Sequence, residues 1–229
     1  RVGARREVVV AAGAVHTPKV LMLSGVGPRA HLEEHGVEVK VDLPGVGANL
    51  QDHLILPLVF NATKPVTRVK GEAMSAAALV RYYLRGKGSL TSPLLEGTAF
   101  MRTRPGLRYP DLQMHVITSP GTEEDVRNFG MSDAMIKFYR LRPDEHGFVL
   151  LPTLLHPGNR GTIRLRSKSA WDPPVVDPAY LSHPDDVATM LTGVRLAHSL
   201  AASAAMSSVS DGRLRVDPTG CAASPCGCP

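Results

Sequence analysis

Cysteine is absent from this chain of 229 residues until position 221, where Cys221, Cys226 and Cys228 appear together. That excludes a disulfide framework for everything before them. A C-x4-C-x-C run with no paired C-x-x-C and no nearby histidine is not a zinc site, so no metal is expected. Aromatic residues are scarce, at 5%, and the basic residues are interspersed with acidic ones. A net charge of +5 therefore describes a solvated surface and not a nucleic-acid interface, which would interleave dense basic runs with aromatics. No run of about eighteen apolar residues exists, so no membrane-spanning helix is expected. A G-x-G-x-x-G loop is also missing, and with it the usual strand-to-helix cradle for a dinucleotide pyrophosphate. The chain opens on Arg1, so residues upstream of it are expected, together with any targeting signal.

What is present changes character along the chain. Residues 7–14, EVVVAAGA, form a short unbroken apolar run of the kind that makes a strand buried on both faces of a parallel sheet. Thr17 followed by Pro18 suggests an N-cap and a first-turn proline for a helix to about Ser24. A second helix is expected over 28–35, closed by Gly36. Val37, Val39 and Val41 alternate with Glu38, Lys40 and Asp42, the pattern of a half-buried strand. A glycine-rich loop, PGVGANLQDH, then covers 44–53. Beyond it, candidate strands over 54–60, 97–102, 112–118, 147–155 and 161–166 are interrupted by one helix over 72–85, stopped by Gly86. Strands with so few helices between them point to a largely antiparallel sheet. A last helix is expected after Ser182 and His183, with Pro184, Asp185 and Asp186 in its first turn and an apolar face of Val187, Met190, Leu191, Val194 and Ala197. The remainder, 207–229, has no apolar period and is expected to be disordered. The expected fold class is therefore an α+β to α/β fragment: a remnant of a parallel sheet plus a largely antiparallel sheet with flanking helices.

Residues 13–27, GAVHTPKVLMLSGVG, resemble the second signature of the glucose-methanol-choline oxidoreductases at each of its fixed positions. Three further blocks are similar to that family in the same order: PGVGANLQDH at 44–53, LEGTAFMRTRPGLRYPDLQMH at 95–115, and HPGNRGTIRLRSKSAWDPPVVDPAYL at 156–181. The resemblance implies part of an FAD-binding domain over 1–53, a substrate-binding domain over 54–166, the start of the family's C-terminal region over 167–206, and a tail outside the family over 207–229.

It also implies FAD as the cofactor, with Ala12 and Gly13 beside it, because small residues at the carboxyl end of a strand let backbone approach a ligand; the two residues equally suit a tight strand-to-helix turn. Gly25 and Gly27 read as turn formers. Asn49, Asp52 and His53, with Gln51, are implied to pack near the flavin; the same residues also suit a turn that bonds its own backbone. Glu96 resembles the glutamate that faces the trimethylammonium group in choline-oxidising relatives, since a quaternary ammonium is held by charge and aromatic faces; it equally suits a strand-end surface position. No catalytic residue is assigned. His16 reads as exposed, His115 as a sheet residue and His156 as a turn residue. The family's catalytic histidine sits in a His-Pro block near its C-terminus, and no such block follows Ala202. The expectation is thus a piece of an enzyme that oxidises a small primary alcohol to an aldehyde, inactive by itself and not retaining FAD. The alternative is a non-catalytic remnant acting at most as a binding module.

Overall fold

A computed structural model of the chain describes residues 3–65, 67, 75–128, 130–139 and 145–215. In order the elements are α1 (Gly13–Leu23), β1 (Val26–Gly27), α2 (Arg29–Glu34), β2 (Val41–Asp42), β3 (Leu58–Ala62), α3 (Ala76–Arg85), β4 (Leu95–Met101), β5 (Leu112–Ile117), α4 (Glu123–Asn128), α5 (Asp133–Tyr139), β6 (Gly147–Leu154), β7 (Thr162–Arg164), β8 (Val175–Asp177), α6 (Pro184–Ala201) and β9 (Ser210–Leu214). They form two compact units, Arg1–His53 with Pro157–Asp186, and Leu54–His156 with Val187–Pro229.

The second unit carries the antiparallel sheet expected from the strand-rich middle, in the order β4-β5-β6-β3-β9. Directly opposed residues of antiparallel strands share a face. Leu150 opposite Leu58, and Phe148 opposite Phe60, therefore build one face, where Phe60 stacks on Phe148 at 5.5 Å between ring centroids. Ala197 and Ala201 of α6 close this core, and Met190 packs with Leu112 and Leu154. Helix and sheet come close because residue 193 is glycine; a Cβ there would stand 2.8 Å from Pro152 Cβ. On the other face Val59 and Val149 pack with Tyr139 of α5, whose hydroxyl donates to the Pro57 carbonyl at 2.8 Å. Helix α3 starts where the Ser75 hydroxyl accepts from the Ala78 amide and stops at Gly86, φ 59°; the expected start of this helix, Glu72, lies outside the described residues.

One expectation is overturned over its described part, 207–215. Residues 207–229 were expected to be disordered, yet 210–214 form β9, the fifth strand. Its sequence, SDGRL, has no strand pattern of its own. It is held by the open edge of β3, with the Arg215 amide donating to the Val59 carbonyl at 2.6 Å, and by Arg215 itself, whose Nε donates to Asn61 Oδ1 at 2.8 Å. Residues 216–229, including the three cysteines, lie outside the described residues.

In the first unit β1 and β2 pair in parallel, Val26 with Val41 and Gly27 with Asp42. A core of Met22, Leu32, Val46 and Leu165 takes in Val37 and Val39 at its margin, so the alternation sorts inside from outside over 37–40, but it fails at Val41, which is 50% exposed on β2. Two expectations fail. The run at 7–14 is not a strand: Gly13 and Ala14 belong to α1, and Val8 and Val9 are 77% and 79% exposed. A parallel strand needs hydrogen-bonding neighbours, and none pairs with this segment among the described residues. Thr17 is not an N-cap either, because α1 begins four residues earlier at Gly13 and holds Pro18 in its interior. The strand expected over 161–166 forms as β7, but it pairs with β8 and not with the five-stranded sheet. Helix α2 and Gly36, φ 64°, fall where the sequence puts them.

Candidate functional site

The signature helix and the glycine-rich loop meet in a cleft of about 680 Å³ in the first unit. Ala14, Thr17 and Pro18 of α1 line it, with Gly47, Asn49 and Gln51 of the loop. Each side has a local cause. The Thr17 hydroxyl reaches back to accept the Ala12 amide at 3.1 Å and so fixes the helix start, where Gly13 adopts φ 80°. Pro18 has no N–H, so the Ala14 carbonyl has no helical donor four residues on. The loop is pinned by Val46 in the core and by paired bonds between Leu50 and Gly161, 3.0 and 2.8 Å. Its Gly47 carbonyl accepts the Ile163 amide at 2.7 Å and an Arg164 guanidinium N–H at 2.9 Å. Only glycine fits at 47: φ is 71°, and a Cβ would lie 2.1 Å from the Ile163 carbonyl oxygen. Asn49, φ 58°, occupies the left-handed region that asparagine tolerates best among non-glycine residues. The result is a mostly apolar groove with the hydroxyl-bearing Thr17 and two amide-bearing residues, Asn49 and Gln51, in its lining, suited to a flat ligand with a polar rim.

The five residues expected near a cofactor all fall in this unit. Ala12 and Gly13 begin α1, and Asn49 lines the cleft. Asp52 accepts a hydrogen bond of 2.5 Å from the Tyr180 hydroxyl. Burial, and then the neighbouring Asp52 carboxylate, push the Tyr180 hydroxyl up to about 12. His53 is exposed. Glu96 lies in the other unit, exposed on β4, at an irregularity where the register with β5 shifts between Leu95 and Gly97. His115, read as a plain sheet residue, shares the face of Thr98 and Leu151 and stands 3.2 Å from the Thr98 hydroxyl. Gln113, Thr153 and Phe100 continue that face, Phe100 being 60% exposed.

A second group was missed altogether. In HLEEH at 31–35, helical spacing puts His31, Glu34 and His35 together, with ligand atoms within 4.8 Å of one another. The arrangement does not suit a metal. His31 Nε2 accepts the Leu165 amide at 2.9 Å, so its proton sits on Nδ1, the atom that faces Glu34 at 3.8 Å.

The matches to known proteins fall on these same segments. Two family models, both described as GMC oxidoreductase, match residues 1–55 and 157–224; the second runs through β9, a stretch read from sequence as foreign to the family. Choline oxidase of Arthrobacter globiformis is 39% identical over 208 residues, 90% of this chain and 32% of that protein. The oxygen-dependent choline dehydrogenase of Brucella ovis is 37% identical over 204 residues, 88% and 35%. The chain thus spans about a third of the length of these relatives. Among solved structures, a formate oxidase of Aspergillus oryzae superimposes with a TM-score of 0.71 at 22% identity, over 91% of this chain and 39% of that one. A pyridoxine 4-oxidase gives 0.65 at 23%, over 89% and 34%; these two likenesses speak to the fold. With one family matched on both segments that build the cleft-bearing unit, the chain belongs to the GMC oxidoreductases.

Proposed function

We propose that this chain is part of an FAD-dependent oxidoreductase that converts a small primary alcohol to an aldehyde. The first unit supplies part of the flavin site and the second supplies a substrate surface. The observation that carries this reading is the cleft, whose walls are the family's signature helix and the loop 44–53. Its small side chains at Ala14 and Gly47 leave room for a flat ring or ribityl chain. The Ala14 carbonyl and the Asn49 amide offer hydrogen bonds to a polar edge. FAD, when bound, accepts the hydride of the alcohol; the residues here hold and orient. The chain contains no dinucleotide loop, so it is not expected to retain FAD by itself.

The reading is tested by titrating FAD into the purified chain. No stoichiometric complex is expected at micromolar concentration. Millimolar FAD should shift the amide resonances of Thr17, Asn49 and Gln51. No shift there, or shifts confined to the sheet β4-β5-β6-β3-β9, would remove the cleft from the flavin site.

The substrate class rests on Glu96 and on the names of the relatives, a choline oxidase and choline dehydrogenases. In an enzyme that contains this chain, Glu96→Gln should raise KM for a cationic alcohol roughly thirtyfold, since contact between a carboxylate and a quaternary ammonium in a partly dry site is worth about 2 kcal/mol. A neutral alcohol of equal size should be affected far less. Equal losses for both alcohols would make Glu96 structural.

A further inference from the structure

The bond between His31 and Leu165 links residues 134 positions apart. It lies at the edge of the core formed by Met22, Leu32, Val46 and Leu165, and the His31 side chain is only 14% exposed. An amide nitrogen can only donate, so His31 Nε2 must present a bare lone pair. His35 braces the same turn, its Nδ1 lying 3.0 Å from the His31 carbonyl. Next to Leu165, Ile163 and Arg164 both bond the Gly47 carbonyl, and Gly47 and Ile163 line the cleft. A continuous set of bonds therefore runs from α2 through Leu165 to one wall of the cleft, all within the first unit.

We propose that this bond is a proton-operated catch: neutral His31 fastens the segment 163–165 to α2, and a proton on Nε2, facing the Leu165 N–H, releases it. The catch works whatever the cleft binds. Three ionisable groups face the ring. Glu34 and His35 come from its own helix and Arg164 from the strand packed against it. Burial disfavours the imidazolium most, His35 and Arg164 add to this, and Glu34 opposes them; together they hold His31 below its usual 6.5. The folded state therefore takes up this proton less readily than the unfolded chain. The catch is shut above 6.5, and its contribution to stability is lost as pH falls below 6.5 towards the lower folded value. A transition metal at Nδ1 would force the remaining proton onto Nε2 and break the same bond, which is why the trio reads as a catch and not a metal site.

The experiment uses the full chain labelled with nitrogen-15. Imidazole nitrogen–proton correlation spectra should show His31 as the Nδ1–H tautomer at about pH 7.5. The protection factor of the Leu165 amide should fall roughly tenfold between about pH 7.5 and about pH 5, while that of Leu150 in the sheet stays constant. In His31→Gln a carbonyl oxygen replaces the lone pair without titrating, so Leu165 should remain protected across the range. His35→Gln should keep the pH dependence. An Nε2–H tautomer at neutral pH, a flat Leu165 profile in the natural chain, or the same fall in His31→Gln would overturn the proposal. If His31→Gln does not fold, the tautomer and the Leu165 profile of the natural chain decide it alone.

Discussion

The five-stranded sheet and the cleft-bearing unit are held together by different means. In the second unit the central strands β3 and β6 are buried on both faces by side chains such as Phe60, Leu150, Val59 and Tyr139. The core cluster of the first unit is small, built on Met22, Leu32, Val46 and Leu165, and much of the unit's order comes from polar side chains that grip distant backbone. Lys19 Nζ donates to the carbonyls of Ala170 and Asp172 at 2.8 and 2.6 Å. Asp186, 2% exposed, accepts the amides of Gly158 and Asn159 at 2.7 and 3.0 Å. The Asn159 side chain donates to the Pro178 carbonyl at 2.7 Å. Apolar burial is non-directional and tolerates repacking; a charged group gripping backbone is directional, and removing it strands the donors it served. A unit that positions a loop around a cleft gains more from the second kind of bond.

Substitutions on each side sharpen this contrast. The largest loss is expected from Phe60→Ala, which empties the centre of the sheet core and should cost about 3–5 kcal/mol in chemical denaturation. Asp186→Ala comes next, at about 1.5–3 kcal/mol, because two buried amides lose a charged acceptor. Amide exchange should rise around Gly158 and Asn159 and leave Leu150 unchanged. An equal rise at Leu150 would break the comparison, since the grip would then serve the whole chain. The smallest effects concern two tyrosines. Tyr139→Phe, which leaves the Pro57 carbonyl without its donor, should cost about 1 kcal/mol. Tyr180→Phe, at a half-exposed bond, should cost about 0.5 kcal/mol or less. Burial raises the Tyr139 hydroxyl to about 12, and the Tyr180 hydroxyl is raised to about 12 as well. Both therefore stabilise the fold below the usual tyrosine value of 10, and this is lost as pH rises from 10 through about 12. Denaturation midpoints in that alkaline window, for the natural chain and both variants, check the sign.

The same contrast explains what could be read from sequence. Apolar periodicity marks the strands of the sheet and the helix after His183, because burial imposes a period of 2 or 3.6 whatever the partner. It cannot say whether a partner is present, so 7–14 reads as a strand and is not one. Nor can it find β9, whose SDGRL is a strand only because β3 offers an edge. Asn49, named from a local motif, lines the cleft, and Gly13 opens α1. The Tyr180–Asp52 bond joins residues 128 apart and the His31–Leu165 bond 134, and polar contacts at such range leave no periodic trace. His115 reads as a sheet residue and is one, but its Thr98 neighbour comes from the adjacent strand and could not be read locally.

The pairing of β3 with β9 also sets a clock. Ser210 bonds the Asn61 carbonyl across 149 residues, so β3 leaves the ribosome long before the strand that covers its outer edge. At typical synthesis speeds of about 5–20 residues per second, that edge waits roughly 7–30 s for its partner. Strands β4, β5 and β6 pair with one another in chain order, and β6 takes the other edge of β3, Leu58 opposite Leu150, before β9 is made. The outer edge stays open to any other extended peptide until synthesis has passed residue 214, and the nascent chain is most exposed to mispairing during that interval.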